Sequence, residues 1–221
     1  MKHSILSIFI FCFITIFSTS LYAAGLGIAF PYGTGTTDYD IYEADASHFG
    51  INFVFDTNVA KQSVFNYRLN FGVEFYNHEY DYSGYDYYYG YSYYGSGSVE
   101  GVKIVTDHNF GFGVLKSRVV RLWLGPNVRV GFIAGDDAGI TLGAGLTALG
   151  LNLNFGPVFT LGLEAGYAFS ADLYFDDVIY EYYDGSSSAG LNSLFVAKLS
   201  ILFRIHDTYD TLNIHNISYM N

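Results

Sequence analysis

Phe65-Asn66-Tyr67-Arg68-Leu69-Asn70-Phe71-Gly72-Val73-Glu74-Phe75 is the stretch on which the fold turns. Every odd position is large and apolar, and every even position is polar, charged or glycine. A period of two is the signature of a strand whose faces meet different surroundings. Neither surrounding is ordinary: one face is almost wholly aromatic and aliphatic, while the other carries a full arginine and a full glutamate.

The same alternation recurs along the chain. Leu26, Ile28, Phe30 and Tyr32 share one face of a first segment, and Phe49, Ile51, Phe53 and Phe55 one face of a second. Val102, Ile104, Phe110, Phe112 and Val114 follow in a fourth, with Lys103, Asp107 and Asn109 opposite. A fifth sets Val120, Leu122, Leu124, Val128, Val130 and Phe132 against Arg121, Trp123, Asn127 and Arg129. The sixth begins on Ile140, Leu142, Ala144 and Leu146 and resumes on the other parity at Leu149, Leu151 and Leu153, so a β-bulge is expected near Ala148. Phe159 to Phe169 and Phe195 to Ile205 complete eight segments. Two residues break the pattern: His108 falls on an apolar parity, and Pro126, which lacks a ladder donor, predicts a local distortion.

Composition restricts what such strands can be. Of 221 residues, 51% are hydrophobic and 19% aromatic, with 25 glycines and 3 prolines. Beyond the N-terminus no run supplies the roughly 20 apolar residues of a membrane helix. Apolar strands that alternate with charge fit a closed barrel in lipid, where only helices and barrels satisfy their backbone groups. The predicted fold is therefore an all-β, eight-stranded, antiparallel up-and-down transmembrane β-barrel. A soluble all-β fold is the rival reading.

The N-terminus reads as an address. Lys2 and His3 precede an apolar run from Ile5 to Phe17, and Leu21-Tyr22-Ala23 supplies a small-residue exit. Residues 1–23 are thus expected to be a signal peptide, 24–205 the barrel and 206–221 a polar tail. The single cysteine, Cys12, lies within the signal segment, so the mature chain is expected to lack disulfides and thiolate chemistry.

Charge is sorted as sharply as hydrophobicity. Net charge is −11. Arg68, Lys103, Arg121, Arg129, Lys198 and Arg204 take the inward parity, as do Asp56, Glu74, Asp107 and Glu164. Eight strands leave a bore just filled by its own side chains, so these ten residues are expected to form a lumen charge network of ion pairs and some water. Lys61, Lys116 and Arg118 fall in short turns, at Asp56–Val64 and Lys116–Arg118, with a third turn at Asn154–Pro157. The alternate links, near Gly33–Ser47, Glu79–Val99 and Phe175–Ala189, read as long outer loops, while Gly135–Gly139 is short but acidic. The loops hold many carboxylates, among them Asp136, Asp137, Asp172, Asp176 and Asp177, and no base. They could offer oxygen ligands to calcium, although no calcium-loop spacing occurs.

Arg121-Leu-Trp-Leu-Gly-Pro-Asn-Val-Arg-Val-Gly-Phe132 and Gly143-Ala-Gly-Leu-Thr-Ala-Leu-Gly-Leu-Asn-Leu-Asn154 resemble strands of the small outer-membrane barrels, the group of OmpA-type transmembrane domains, OmpX-like and OmpW-like proteins. The resemblance spans the mature chain as a pattern, without a signature motif. It implies eight strands, insertion by the outer-membrane assembly machinery and a non-enzymatic role. One departure is that Phe203 and Ile205 are followed by sixteen polar-tail residues where such barrels end on an aromatic. Either the last strand signals from an internal position, or it lies elsewhere.

Between Tyr76 and Tyr94 stand ten tyrosines. Tyr82, Tyr85, Tyr87, Tyr88, Tyr89, Tyr91, Tyr93 and Tyr94 are candidates for a surface contact loop, since tyrosine combines contact area with a polar handle. Equally, they could belong to a hairpin reaching past the membrane, with tyrosines in the interfacial girdle. His48, His78 and His108, with Ser47, Ser83 and Glu79 near in sequence, are the residues an enzyme would need, but they show no triad spacing. The G-x-G pairs lack a strand–loop–helix context for phosphate. No metal or cofactor is expected.

The sequence thus predicts a non-enzymatic, monomeric outer-membrane barrel with a structural or adhesion-like role through its acidic, tyrosine-rich loops. A narrow channel for small or hydrophobic solutes is the alternative, and a lipid-modifying enzyme the third. The expected partners are outer-membrane lipid and an extracellular molecule at the loops. Nucleic acid is excluded by the acidic balance.

Overall fold

In the computed structural model, residues 24–39, 42–59, 64–86, 88–117, 119–134, 138–175 and 189–205 are described. The expected signal peptide (1–23) and tail (206–221) lie outside them. Eight strands follow in order: β1 Gly25–Tyr39, β2 Tyr42–Asp56, β3 Phe65–Asp86, β4 Tyr91–Lys116, β5 Val120–Ala134, β6 Gly139–Phe155, β7 Phe159–Tyr174 and β8 Ala189–Arg204. Each pairs antiparallel with its neighbours, and β8 closes on β1 with Gly25 opposite Arg204 and Tyr39 opposite Gly190. The last strand is therefore the one the alternation predicts, and the barrel has no unpaired seam.

Burial follows parity. In β2, Phe49, Ile51 and Phe53 are about half exposed, whereas Asn52, Val54 and Asp56 are sealed. The same inversion holds round the ring: aromatic and aliphatic groups cover the outside, and arginine, lysine, glutamate and asparagine fill the inside. Water would expel such an outer surface, so the solvent this barrel is built for is hydrocarbon. Aromatic contacts ring both ends of the belt. Phe65–Phe112, Phe155–Phe159 and Phe159–Phe203 lie near the end that carries the short turns. Phe49–Phe75 and Tyr167–Phe195 lie towards the opposite, hairpin end.

The turn after β2 does more than reverse the chain. Asn58 N–H donates to Asp56 Oδ1 at 2.8 Å, and the bend carries Val59 into the bore against Ala29, Val54 and Leu202. A small apolar stopper thus closes the turn end. Higher up, Trp123 lies inside the lumen between Gly111 and Gly150, where any Cβ would collide with the indole.

The expected bulge is present: register shifts by one on both sides of Ala148, leaving Ala148 and Leu149 exposed in succession. At Pro126 the expected disturbance is an interruption and not a bulge: the β4–β5 ladder skips Gly125 and Pro126, and Asn109–Asn127 and Phe112–Leu124 keep the same offset on either side. The irregularity in that pair falls instead between Gly113 and Leu115.

Two of the expected long loops are strand. β1 and β2 run to Tyr39 and Tyr42, so the Gly33–Ser47 link is a tight hairpin. β3 and β4 pair as far as Asp86 opposite Tyr91, so most of Glu79–Val99 is ladder. Residues 176–188, the core of the third expected loop, lie outside the described residues.

Candidate functional site

Ten charged side chains are buried in the lumen among the described residues, five basic and five acidic. They stack in tiers along β3. Nearest the turn end, Arg68 pairs with Asp56 at 2.6 Å and with Glu164, and also donates to Asn152. Its guanidinium lies 5.1 Å from the Trp123 ring. In the middle, Arg129 makes two forked contacts, to Glu74 (2.8 and 3.0 Å) and to Asp107 (2.7 and 3.0 Å). Lys198 adds a bond to Asp107 at 2.5 Å. Above them, Lys103 pairs with Asp172 at 2.6 Å and sits over the Tyr76 ring. Forked arginine–carboxylate pairs are the geometry that best offsets the desolvation of buried ions.

One assignment needs correction. Asp172, expected among the outer carboxylates with Asp176 and Asp177, is fully buried on the inward face of β7. Its parity already points there, because Glu164 and Asp172 are eight residues apart on one strand. Arg204, at the end of β8, is part-exposed as a residue but keeps its Nε and Nη2 atoms buried, and Arg121 is buried and donates to Asn66 Oδ1 at 3.2 Å. The expected six bases thus face five acids, with Asp172 added to the four.

Above the Lys103 pair lies a cluster the sequence did not announce. His48 and His78 project inward from β2 and β3, with their Nε2 atoms 3.2 Å apart. The Tyr39 hydroxyl is 2.7 Å from His78 Nδ1, and Thr37 Oγ1 is 3.4 Å from His78 Nε2. Thr37 donates to Asn192 Oδ1 at 2.6 Å, and Asn192 in turn donates to Ser170. Of the residues weighed for catalysis, His48 and His78 form this cluster and the others do not join it. Ser47, Glu79 and Ser83 take the outward parity, and His108 lies on the outer face, 2.6 Å from the Tyr67 hydroxyl.

The β3–β4 hairpin leaves the barrel behind. β2 stops pairing with β3 at Asp45–Glu79, and β5 meets β4 only from Val102–Ala134. Beyond those points, Tyr80–Asp86 and Tyr91–Gly97 pair with each other alone. On one face Tyr76, Tyr80 and Tyr82 stand directly opposite Gly101, Gly97 and Gly95, and each ring lies across its glycine. Tyr80 also stacks on Tyr42 at 4.3 Å. At the tip, Tyr88, Tyr89 and Gly90 form the turn, with Gly90 at φ 70. Tyr88 and Tyr94 are more than four-fifths exposed, and Tyr89 and Tyr91 more than half. Tyr85 and Tyr93 lie within β3 and β4, and Tyr87 is outside the described residues.

On the outward face of β1–β4, past the apolar belt, Asp38, Glu43, Asp45, Glu79, Asp81 and Glu100 are exposed. Asp38 faces Glu43 and Asp45 faces Glu79 across the ladder, an arrangement that costs stability. Asp136, Asp137, Asp176, Asp177, Glu181 and Asp184 lie outside the described residues.

No family model and no curated protein matches the chain. Solved structures do. The chain is similar to Neisserial surface protein A, with 10% identity over 82% of this chain and 96% of that one, at a TM-score of 0.34. A major outer membrane protein from Thermus thermophilus gives 16% identity, 81% and 99% coverage, and 0.36. Ail, the attachment invasion locus protein of Yersinia pestis, solved with the heparin analogue sucrose octasulfate, gives 14%, 82% and 99%, and 0.32. These are small outer-membrane barrels, and this chain is likewise a closed ring of eight antiparallel strands.

Proposed function

We propose that this protein is a monomeric, non-enzymatic component of the bacterial outer membrane that engages an extracellular partner through its β3–β4 hairpin. The observation that carries the reading is the hairpin itself, whose last residues pair only with each other and hold exposed tyrosines at the tip. Rigid aromatic side chains on a preformed hairpin lose little entropy on contact, so they suit binding. In this reading the short turns face the periplasm, and the signal peptide directs export. The lumen supports a scaffold role over a channel, because ion pairs at three heights and the Val59 stopper occupy the bore.

Deleting Ser83–Ser98 should leave a barrel that still shifts mobility on a gel when boiled, while cells carrying it lose adhesion to host cells or immobilised matrix. Undiminished adhesion with the deleted protein at the surface would refute the assignment of the hairpin. Conductance steps from purified protein in planar bilayers would favour the channel reading instead.

A further inference from the structure

Among the described residues, His48, His78 and Thr37 form a group of lumen donors that the ion pairs leave out. His48 and His78 are almost completely buried, project from adjacent strands and meet Nε2 to Nε2 at 3.2 Å. Thr37 Oγ1 stands 3.4 Å from His78 Nε2. Zinc bonds imidazole nitrogen at about 2.0–2.1 Å, so donor atoms in a tetrahedral site are separated by roughly 3.3–3.4 Å. Both measured separations match edges of such a tetrahedron.

The surroundings fit as well. A metal-bound histidine usually donates its other ring N–H to a fixed acceptor. The Tyr39 hydroxyl, 2.7 Å from His78 Nδ1, stands in that place. Thr37 donates its own proton to Asn192, which leaves the lone pairs of Oγ1 free to face the histidines. Without a cation, the two Nε2 atoms must share one proton. If His48 supplies it, the buried His48 Nδ1 is left without a hydrogen-bond partner among the described residues.

We propose that His48 and His78, with Thr37 and solvent, form a binding site for a tetrahedral divalent transition metal, zinc first, beneath the hairpin end of the barrel. Among the described residues no third His, Cys, Asp or Glu converges on the pair, so solvent completes the shell. Tyr39 is a positioning residue that orients His78 and does not touch the metal. The site does not depend on what the hairpin binds.

The test uses the full-length barrel, refolded in detergent, stripped with chelator and titrated with Co2+ and then Zn2+. The expected result is one equivalent of Co2+ with the intense visible absorption of tetrahedral cobalt, displaced by Zn2+. His48→Gln and His78→Gln should each abolish that absorption, and Tyr39→Phe should weaken binding roughly tenfold. A double variant, His206→Gln with His215→Gln, should bind as the parent does. If the folded parent gives no tetrahedral signal, or the signal survives His48→Gln, the proposal is overturned. If it disappears only in the tail variant, the metal is held by the tail and the proposal is equally overturned. Heat-modified gel mobility reports closure of every variant, and the parent titration decides the matter even where a variant fails to fold.

Discussion

The lumen and the hairpin are built from the same β3 and β4 strands, yet they solve opposite problems. Inside the barrel, Arg129 is held by two carboxylates that are themselves sealed from water. Beyond it, Tyr88 and Tyr94 stand in the open with almost no covering. One region uses its side chains on each other; the other keeps them available. A single pair of strands thus passes from self-satisfied to outward-directed between Lys103 and Tyr94, where the flanking strands β2 and β5 end. Neighbouring strands, rather than any change of local conformation, decide which regime applies.

The comparison is broken most forcefully from inside. Arg129→Leu should strand Glu74 and leave Asp107 with Lys198 alone, costing about 3–5 kcal/mol or preventing closure altogether. Trp123, the only tryptophan, lies in the lumen and reports unfolding by fluorescence during a urea titration. A loss below about 1 kcal/mol would mean that the pairs are wet and contribute as little as surface ion pairs do.

The hairpin should yield in two smaller steps. Tyr80→Ala with Tyr82→Ala uncovers Gly97 and Gly95, at about 0.2–1 kcal/mol for each cross-strand pair. Amides in 80–86 and 91–97 should then exchange faster while the urea midpoint of the barrel stays in place. Unaltered exchange would show that these rings do not hold the ladder. Smallest of all is Tyr88→Ser with Tyr94→Ser, which should move stability by no more than about 0.5 kcal/mol. Surface adhesion should nevertheless fall in that variant. A large loss of stability would place these tip residues with the covering tyrosines and not with the contact surface.

Alternation makes the membrane part of the fold legible because lipid tolerates almost no error on the outward face. Phe65–Phe75 carries its assignment in every residue, and even the bulge at Ala148 shows as a change of phase. The bulge near Val114 is hidden, since Val114 and Leu115 are both apolar and read correctly in either phase. Beyond the belt the rule lapses. Tyr80–Asp86 and Tyr91–Gly97 alternate tyrosine with glycine, serine and aspartate, a composition typical of loops. They are strands because tyrosine on one side covers glycine on the other, and that complement appears only once the register is known. Asp172 misleads for a related reason: an acidic residue near a chain reversal suggests solvent, whereas its parity with Glu164 points inward. The His48–His78 contact could not be read from sequence spacing, as thirty residues and a full strand reversal separate them.

The lumen pairs join distant parts of the chain: Arg68 to Glu164, Lys103 to Asp172 and Asp107 to Lys198. None of these can form within a hairpin. A growing sheet that has reached β6 therefore carries Arg68 without Glu164 and Lys103 without Asp172 along a face still open to water. Arrival of β7 brings Glu164 and Asp172, and arrival of β8 brings Lys198 just as the ring shuts. Because non-local contacts are slow to form, this makes the final steps of assembly the slow ones. Dehydration of the bore and closure of the ring then become a single event, and a partly inserted sheet cannot dry out before its last strand is in place.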